Sequence, residues 1–583
     1  MGTRIVIKPT GRKSFRSPLP VIRGMEQLIS NGSRKRPFFS SCWISPPMPI
    51  GAEVVESYCV KGAEVSILSL SGGTRFLYHL VPWEYNVPDE WMGMLRLAVD
   101  DIFRKPPDRL GASMDELRYL VVSRTREVLG NLIESNSIGA SRNPMERMEI
   151  LTNLSEVVGR YTVGFGLLEV LLSDDRIEDI FIDAPCSLNH IHVSLGGVGD
   201  DTSVLRCPTN IVASDSEIQG LASRLRQMSG KPFSQAFPVM ETDIPNFQTR
   251  ATLVAPPLSP AGIAVALRRR SRIPWTLPRM VENGTLDSTT AGLLSFLMDG
   301  CSTVLIAGAR GSGKSSLLSA MLFEFPLSQR ILTIEDTAEL PVKQMQEMGF
   351  NVQSLVVEHG MGERMELKTE EALRVSLRLG ESAIILGEVR GKEAQTLYEG
   401  MRTGRAGSSV LGTIHGDSAR SVFERVVHDM GIAPEAFGAT DVIVTMGLLR
   451  PHGAQRQIRC VMEIAELAKD RGPGEFNTLG RYDLIDGRME LNLKGSDTMR
   501  RISESWGIEE EQSLENIMMR TRIRDRLVNI ASKRGPEFLS PLWLCRCNEF
   551  LWKEMTYPDS TPEMIEANFN EWLVRRVGAE DIL

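Results

Sequence analysis

The chain is poor in residues that would staple it covalently or through metal. Its 583 residues hold eight cysteines and seven histidines. Only Cys545 and Cys547 lie close together, a C-x-C step is not zinc-ligand spacing, and no second pair completes a tetrahedral site. His190 and His192 alternate as two residues on one strand face do. Long apolar runs are also missing. No stretch reaches the ~18 uncharged apolar residues that a membrane span needs, and the most apolar helix-like run, Tyr161 to Leu172, is shorter and carries Glu169. The N-terminus has no apolar segment after its basic residues, as a signal peptide would. These absences argue against a disulfide-framed secreted domain, a zinc module and a membrane-spanning chain. They lead to the expectation of a cytoplasmic protein with reduced thiols.

What is present is an ordinary globular composition, 42% hydrophobic and 24% charged, in a chain long enough for several domains. The net charge of −8 argues against general nucleic-acid binding, so no sequence-specific nucleic-acid partner is expected. Charge is unevenly spread, however. Residues 1–36 carry Arg4, Lys8, Arg12, Lys13, Arg16, Arg23, Arg34, Lys35 and Arg36 against the single acid Glu26. With its Pro, Ser and Gly content, 1–49 reads as a basic flexible arm, either a solvated tail or a contact for anionic lipid or an acidic partner.

Beyond the arm, 50–170 reads as a mixed and then helical domain, with strand-like runs at 64–70 and 76–80 and helical periodicity from 91 onward. Residues 171–273 read as an α+β domain: strands at 177–183, 190–195, 250–254 and 263–268, and an amphipathic helix at 217–229. Pro274 and Pro278 mark a linker. From 279 to 470 the rhythm is strand, turn, helix, repeated. Its strands at 303–307, 331–334, 383–386, 409–413 and 442–446 are short and apolar on both faces, as in a parallel sheet covered by helices. Residues 471–583 read as a hairpin turning at Asp486-Gly487, followed by helices.

The motif with the most chemistry is Gly308-Ala309-Arg310-Gly311-Ser312-Gly313-Lys314-Ser315, a full GxxxxGK[ST], followed by Ser316. It sits between a predicted strand and a predicted helix, the context it requires. Glycines let successive backbone N–H groups wrap an anion, and the helix N-terminus adds positive potential. Lys314 is placed to neutralise the β- and γ-phosphates, and the Ser315 hydroxyl to ligate Mg²⁺. Hydrolysis also needs a carboxylate to orient or deprotonate water. Glu335 and Glu388 both end apolar strands at the carboxyl edge of the predicted sheet, and the choice of general base between them stays open. His415 ends a third strand, as a γ-phosphate sensor would. Arg250 and Arg268, in the preceding domain, read either as charge stabilisers for the γ-phosphate or, for Arg268–Arg270, as a solvated basic face.

These motifs, in this order over about 170–465, resemble the type II/type IV secretion ATPase family, the traffic ATPases of pili, secretion and archaeal flagella. The resemblance rests on 177–183, on Arg224 to Pro232, on Arg250-Ala-Thr-Leu, on the Walker A loop and on the acidic box Thr333–Glu339. Walker B Gly387-Glu-Val-Arg390 and the histidine box Gly412–Asp417 complete it, and the last is most like archaeal members. The family implies a RecA-like P-loop motor domain with an N-terminal α+β (PAS-like) domain and helical extensions, ATP and Mg²⁺ as cofactors, and a homohexamer. It also implies a polytopic membrane platform protein as partner, pilin-like subunits moved indirectly, and a position on the inner face of the cell membrane. Glu388 then corresponds to the Walker B glutamate, Glu335 and Asp336 to the acidic box, and His415 to the histidine box. Gly387 occupies the usual Walker B aspartate position, and Arg405 stands where many relatives have histidine. A DNA-transfer motor and a nucleotide-regulated scaffold remain the alternatives.

Overall fold

The computed structural model describes residues 34–70, 75–105, 114–136, 143–198, 201–270, 273–357, 363–380, 382–391, 393–402, 409–450, 457–468, 471–557 and 559–578. Most of the basic arm, and Arg405, lie outside these residues. The chain forms two compact units, which divide close to residue 270.

The first unit is built on one sheet. Its strands are β1 (Cys42–Ile44), β2 (Glu53–Val60), β3 (Ala63–Leu70), β4 (Arg75–Pro82), β5 (Ile177–Ile182), β6 (His190–Val198), β7 (Asp201–Ala213), β8 (Val239–Ile244), β9 (Thr249–Val254) and β10 (Ala264–Arg269). They lie in the order β2-β3-β4-β7-β6-β5-β10-β9-β8, with β1 on β7. The expected boundary at 170 therefore falls inside a continuous sheet, where Tyr78 of β4 pairs with Thr209 of β7. The helices Asp89–Arg104, Met114–Asn136 and Pro144–Thr162 share an apolar core of their own within the unit.

One helix reading needs correction. The apolar run Tyr161 to Leu172 is broken between Thr162 and Leu168. Gly166 takes φ +57°, and a Cβ on Gly164 would lie 1.9 Å from Glu169 Oε1 and 2.8 Å from Arg160 O. Buried Glu169 accepts from Phe165 N at 3.0 Å and from Arg118 Nη1 at 3.0 Å. Its carboxylate needs those donors in an apolar setting, so it ends one helix and starts the next.

The second unit holds the P-loop. Its strands are β11 (Val304–Gly308), β12 (Ile331–Glu335), β13 (Val352–Val356), β14 (Ala383–Leu386), β15 (Val410–Ile414), β16 (Val442–Leu449), β17 (Ile458–Leu467), β18 (Phe476–Asp483) and β19 (Arg488–Leu491). The order is β13-β12-β14-β15-β11-β16-β17-β18-β19, parallel through β16 and antiparallel beyond it. The apolar runs split residue by residue between two faces. Val304 and Ile306 enter one core with Ala383, Ile385, Val442 and Val444, while Leu305 and Ala307 enter the other with Ile384, Leu386 and Ile443. Burial of both faces is why these strands read as unbroken apolar runs.

Pro278 starts a helix rather than only breaking one. It lies in the first turn of Leu277–Glu282, whose Thr276 cap accepts from Arg279 N, and a proline is tolerated there because its missing N–H has no intrahelical partner to lose. The segment 471–583 lies in the same unit as 279–470. Met499, Ile502, Ile517 and Leu544 share a core with Leu317, Leu318 and Phe323 of the P-loop helix and its end. A buried ion pair reinforces this contact: Arg524 Nη2 lies 2.6 Å from Glu324 Oε2, with both side chains nearly fully enclosed. Asn548 Nδ2 and Ser295 Oγ also donate to that carboxylate. Among the described residues no helix is long and apolar enough to cross a membrane.

Candidate nucleotide site

Four polar strand ends meet at the carboxyl edge of the parallel strands. β11 runs into the glycine loop, and the helix Lys314–Leu322 leaves it with Gly313 as N-cap. Gly308, Gly311 and Gly313 take φ of +153°, +81° and +97°. At Gly308 a side chain is excluded twice over, since a Cβ would lie 2.4 Å from Ser312 Oγ and 2.6 Å from Met446 O. Ala309 and Arg310 are exposed on the loop, while Ser315 and Ser316 are half-buried at the helix start. Ser312 Oγ is buried and has no hydrogen-bond partner among the described residues. Lys314 Nζ folds back onto the loop and donates to the carbonyls of Gly308 and Ala309, both at 2.9 Å. Arg459 of β17 donates from Nε to Gly311 O at 3.0 Å. A tight, cationic loop at a helix N-terminus fits the phosphates of a nucleotide.

Facing the loop is a charged cluster. Glu388, two residues past β14, pairs with the Arg390 guanidinium and lies 3.2 Å from His415 Nε2, just past β15. Arg390 also reaches back to Asp336, just past β12, at 2.9 Å. Its own backbone N–H and that of Gly391 donate to Glu393 Oε1 at 2.6 and 2.8 Å, which fixes the turn. Partial burial raises the Glu388 carboxyl, but Arg390, His415 and Lys314 outweigh it and hold it below the usual carboxylate range. Burial and the nearby Lys314 and Arg425 charges push His415 below the ordinary imidazole range, against the pull of Glu388. At neutral pH the site therefore holds an ionised Glu388 beside a neutral His415.

Glu335 is placed differently from Glu388. It is buried, and Oε1 accepts from Glu339 N at 2.7 Å and Leu340 N at 2.9 Å, tying down the loop after β12. Gly387 is explained by the same residue, because a Cβ there would lie 3.2 Å from Glu335 Cγ. Arg250 and Arg268 belong to the first unit, opposite each other across β9 and β10. Arg250 pairs with Glu241 at 2.7 Å, and Arg268 is exposed. No cluster of three or more metal-ligating side chains occurs among the described residues. Sequence reasoning assigned no role to Arg390, Glu393 or Arg459. Arg390 could have been found, since it follows a strand-ending acid by two residues; Arg459 could not, because it reaches the loop from a strand with no motif.

The fold and the site define a P-loop core, a largely parallel sheet with its phosphate loop and acidic strand ends in place. The family model described as "Type II/IV secretion system protein" matches residues 221–527, over half of the chain, and the chain belongs to that family. An uncharacterized protein of Methanocaldococcus jannaschii is 25% identical over 398 residues, covering 66% of this chain and 50% of that protein. The matched part of the chain thus spans half the length of that relative. A Mycobacterium tuberculosis protein named for conjugal transfer is 29% identical over 328 residues, covering 55% of this chain and 85% of that protein. Among solved structures, the DotB ATPase of Legionella pneumophila is 18% identical, with 60% of this chain and 94% of that chain covered at a TM-score of 0.37.

Proposed function

We propose that the chain hydrolyses ATP and works as a homohexameric motor. It acts on the inner face of the cell membrane, pushing on a polytopic platform protein to assemble or secrete pilin-like subunits. The observation that carries the hydrolytic part is Glu388 held between Arg390 and His415, opposite the Lys314 loop. Glu388 is the group to take a proton from water, since one oxygen of Glu335 is committed to the backbone. His415 reports on the γ-phosphate side of the loop. Lys314 exchanges two carbonyl partners for phosphate oxygens. The Ser315 hydroxyl, with phosphate oxygens and water, would hold Mg²⁺, which would supply charge neutralisation at the β- and γ-phosphates. Arg250 and Arg268 are proposed as further charge stabilisers.

A second reading has its own support. The Mycobacterium relative carries a conjugal-transfer name, and a motor for DNA transfer would use the same core. Steady-state ATP hydrolysis by wild type and Glu388→Gln, with oligomer mass measured with and without nucleotide, tests the proposal. Turnover that is lost in the variant, with a nucleotide-favoured hexamer, supports it. Nucleotide binding without turnover under any lipid or salt condition overturns it in favour of a nucleotide-regulated scaffold.

A further inference from the structure

β17 pairs with β16 so that Met446 faces Val461 and Thr445 faces Glu463, which leaves Met462 without an opposite residue. A bulge of this kind re-aims the side chains that follow it. In an unbroken strand residues 461 and 465 would share a face. Here Val461 enters the core that holds Leu317 and Leu318 of the P-loop helix, and Ala465 enters the core on the other side of the sheet. Gly447 makes room for the extra residue, since a Cβ there would lie 2.5 Å from Met462 Cγ.

Before the bulge, Arg459 faces the phosphate loop. Its Nε donates to Gly311 O at 3.0 Å. Its Cδ would lie 3.6 Å from a Cβ on Gly313, the N-cap of the helix Lys314–Leu322. Met446, beside the bulge, packs against the same loop, with its Cε 3.4 Å from that Cβ position. A carbonyl turned toward an anion repels it, and the bond to Arg459 claims the Gly311 carbonyl for the strand. The guanidinium also adds positive charge beside the loop.

Past the bulge, Glu463 faces the other core. Its Oε2 accepts from Ala419 N at 3.1 Å, at the first turn of the helix Ala419–Glu424. A carboxylate is favoured there by the unpaired N–H groups of the helix start. The segment that carries His415 is bound to the same turn. Asp417 N and Ser418 N donate to Ser421 Oγ at 2.9 and 3.1 Å. Gly416 packs so closely that a Cβ would lie 2.8 Å from Val422 Cγ2. Glu463 thus fastens to β17 the helix start from which His415 is held.

We propose that Arg459 and Glu463 are positioning residues for hydrolysis. Arg459 sets the loop that receives the phosphates, and Glu463 sets His415 beside Glu388. The bulge at Met462 lets one strand do both, from opposite faces of the sheet. The inference rests on the ATP-hydrolysis reading of the site.

Steady-state kinetics and calorimetric ATP binding on the full chain separate the two roles. Arg459→Met keeps the aliphatic stem but removes the donor. It should raise KM and Kd for ATP by about tenfold or more, with kcat little changed. Arg459→Lys, which can still donate to a carbonyl, should recover part of the loss. Glu463→Ala should lower kcat by about tenfold or more while Kd for ATP stays near wild type. Glu463→Gln, whose amide oxygen can accept from Ala419 N, should restore turnover. Wild-type KM, Kd and kcat in Arg459→Met and Glu463→Ala, with only Tm lowered, would make both residues merely structural and overturn the proposal. Equal loss of affinity and turnover in both variants, without rescue by Lys or Gln, overturns it as well, because general disruption of the site would then be the cause. If wild type shows no turnover, the hydrolytic reading fails instead, and the ATP affinity of Arg459→Met decides the role of Arg459 on its own.

Discussion

His415 Nε2 stands 3.2 Å from Glu388 Oε1. The pair joins the ends of β14 and β15, and both residues titrate below their ordinary ranges. Burial raises Glu388, but Arg390, His415 and Lys314 together outweigh it, and His415 is kept neutral by burial and by Lys314. Because Glu388 titrates below its ordinary value, its charge and the stability of its ion pairs persist at neutral pH. Both are lost as pH falls through that lowered value. Arg390→Gln removes the dominant charge holding it there. The acid limb of kcat against pH should move upward in this variant, and Arg390→Lys should restore part of the shift. An unmoved profile would mean that Arg390 does not set the Glu388 charge.

The two strand-end glutamates should separate in their phenotypes. Glu388→Gln keeps shape and hydrogen-bonding capacity in a partly exposed position, so Tm should hardly change while kcat falls by ~10²–10⁴-fold. Glu335→Ala leaves the N–H groups of Glu339 and Leu340 without their acceptor. It should cost about 1–3 kcal/mol of stability, read by denaturant unfolding before any activity is measured.

Gly308→Ala places a methyl 2.4 Å from Ser312 Oγ and 2.6 Å from a carbonyl oxygen. Since the carbonyl is backbone, the loop itself must shift. Affinity for ATP should fall by at least ~10-fold, measured by calorimetry, with secondary structure retained by circular dichroism. Unchanged affinity would show that the cradle tolerates a wider loop.

The Arg524–Glu324 pair gives a prediction with a sign reversal. Arg524→Met strands a buried carboxylate and should destabilise by about 3–5 kcal/mol. The double change Arg524→Met with Glu324→Leu removes both charges and should recover most of that loss. Chemical denaturation of the two variants decides it.

Much of this arrangement is legible from the residues. The strands ending at Gly308, Glu335, Leu386 and Ile414 are mostly apolar and buried along their whole length, and each ends on or runs into glycine or a polar residue, so both the sheet and its functional edge can be read. β13 cannot, because it is an edge strand with only one buried residue and the pattern Val352-Gln-Ser-Leu-Val. β17 is hidden by its glutamates. Glu463 and Glu466 interrupt the apolar pattern, and buried Glu466 turns out to accept from Ser496 Oγ, Asp497 N and Thr498 N at the start of a distant helix. Long-range capping of this kind leaves no local signal. The run 161–172 fails for a related reason: its polar member, Glu169, binds the backbone that a continuous helix would have used.

The family likeness ends at residue 527, within the helix Glu510–Arg534. Cutting the chain at the hairpin before that helix would leave one wall of the P-loop core facing water, because Met499, Ile502, Ile517 and Leu544 supply that wall. The helices beyond the hairpin are therefore foundations rather than accessories.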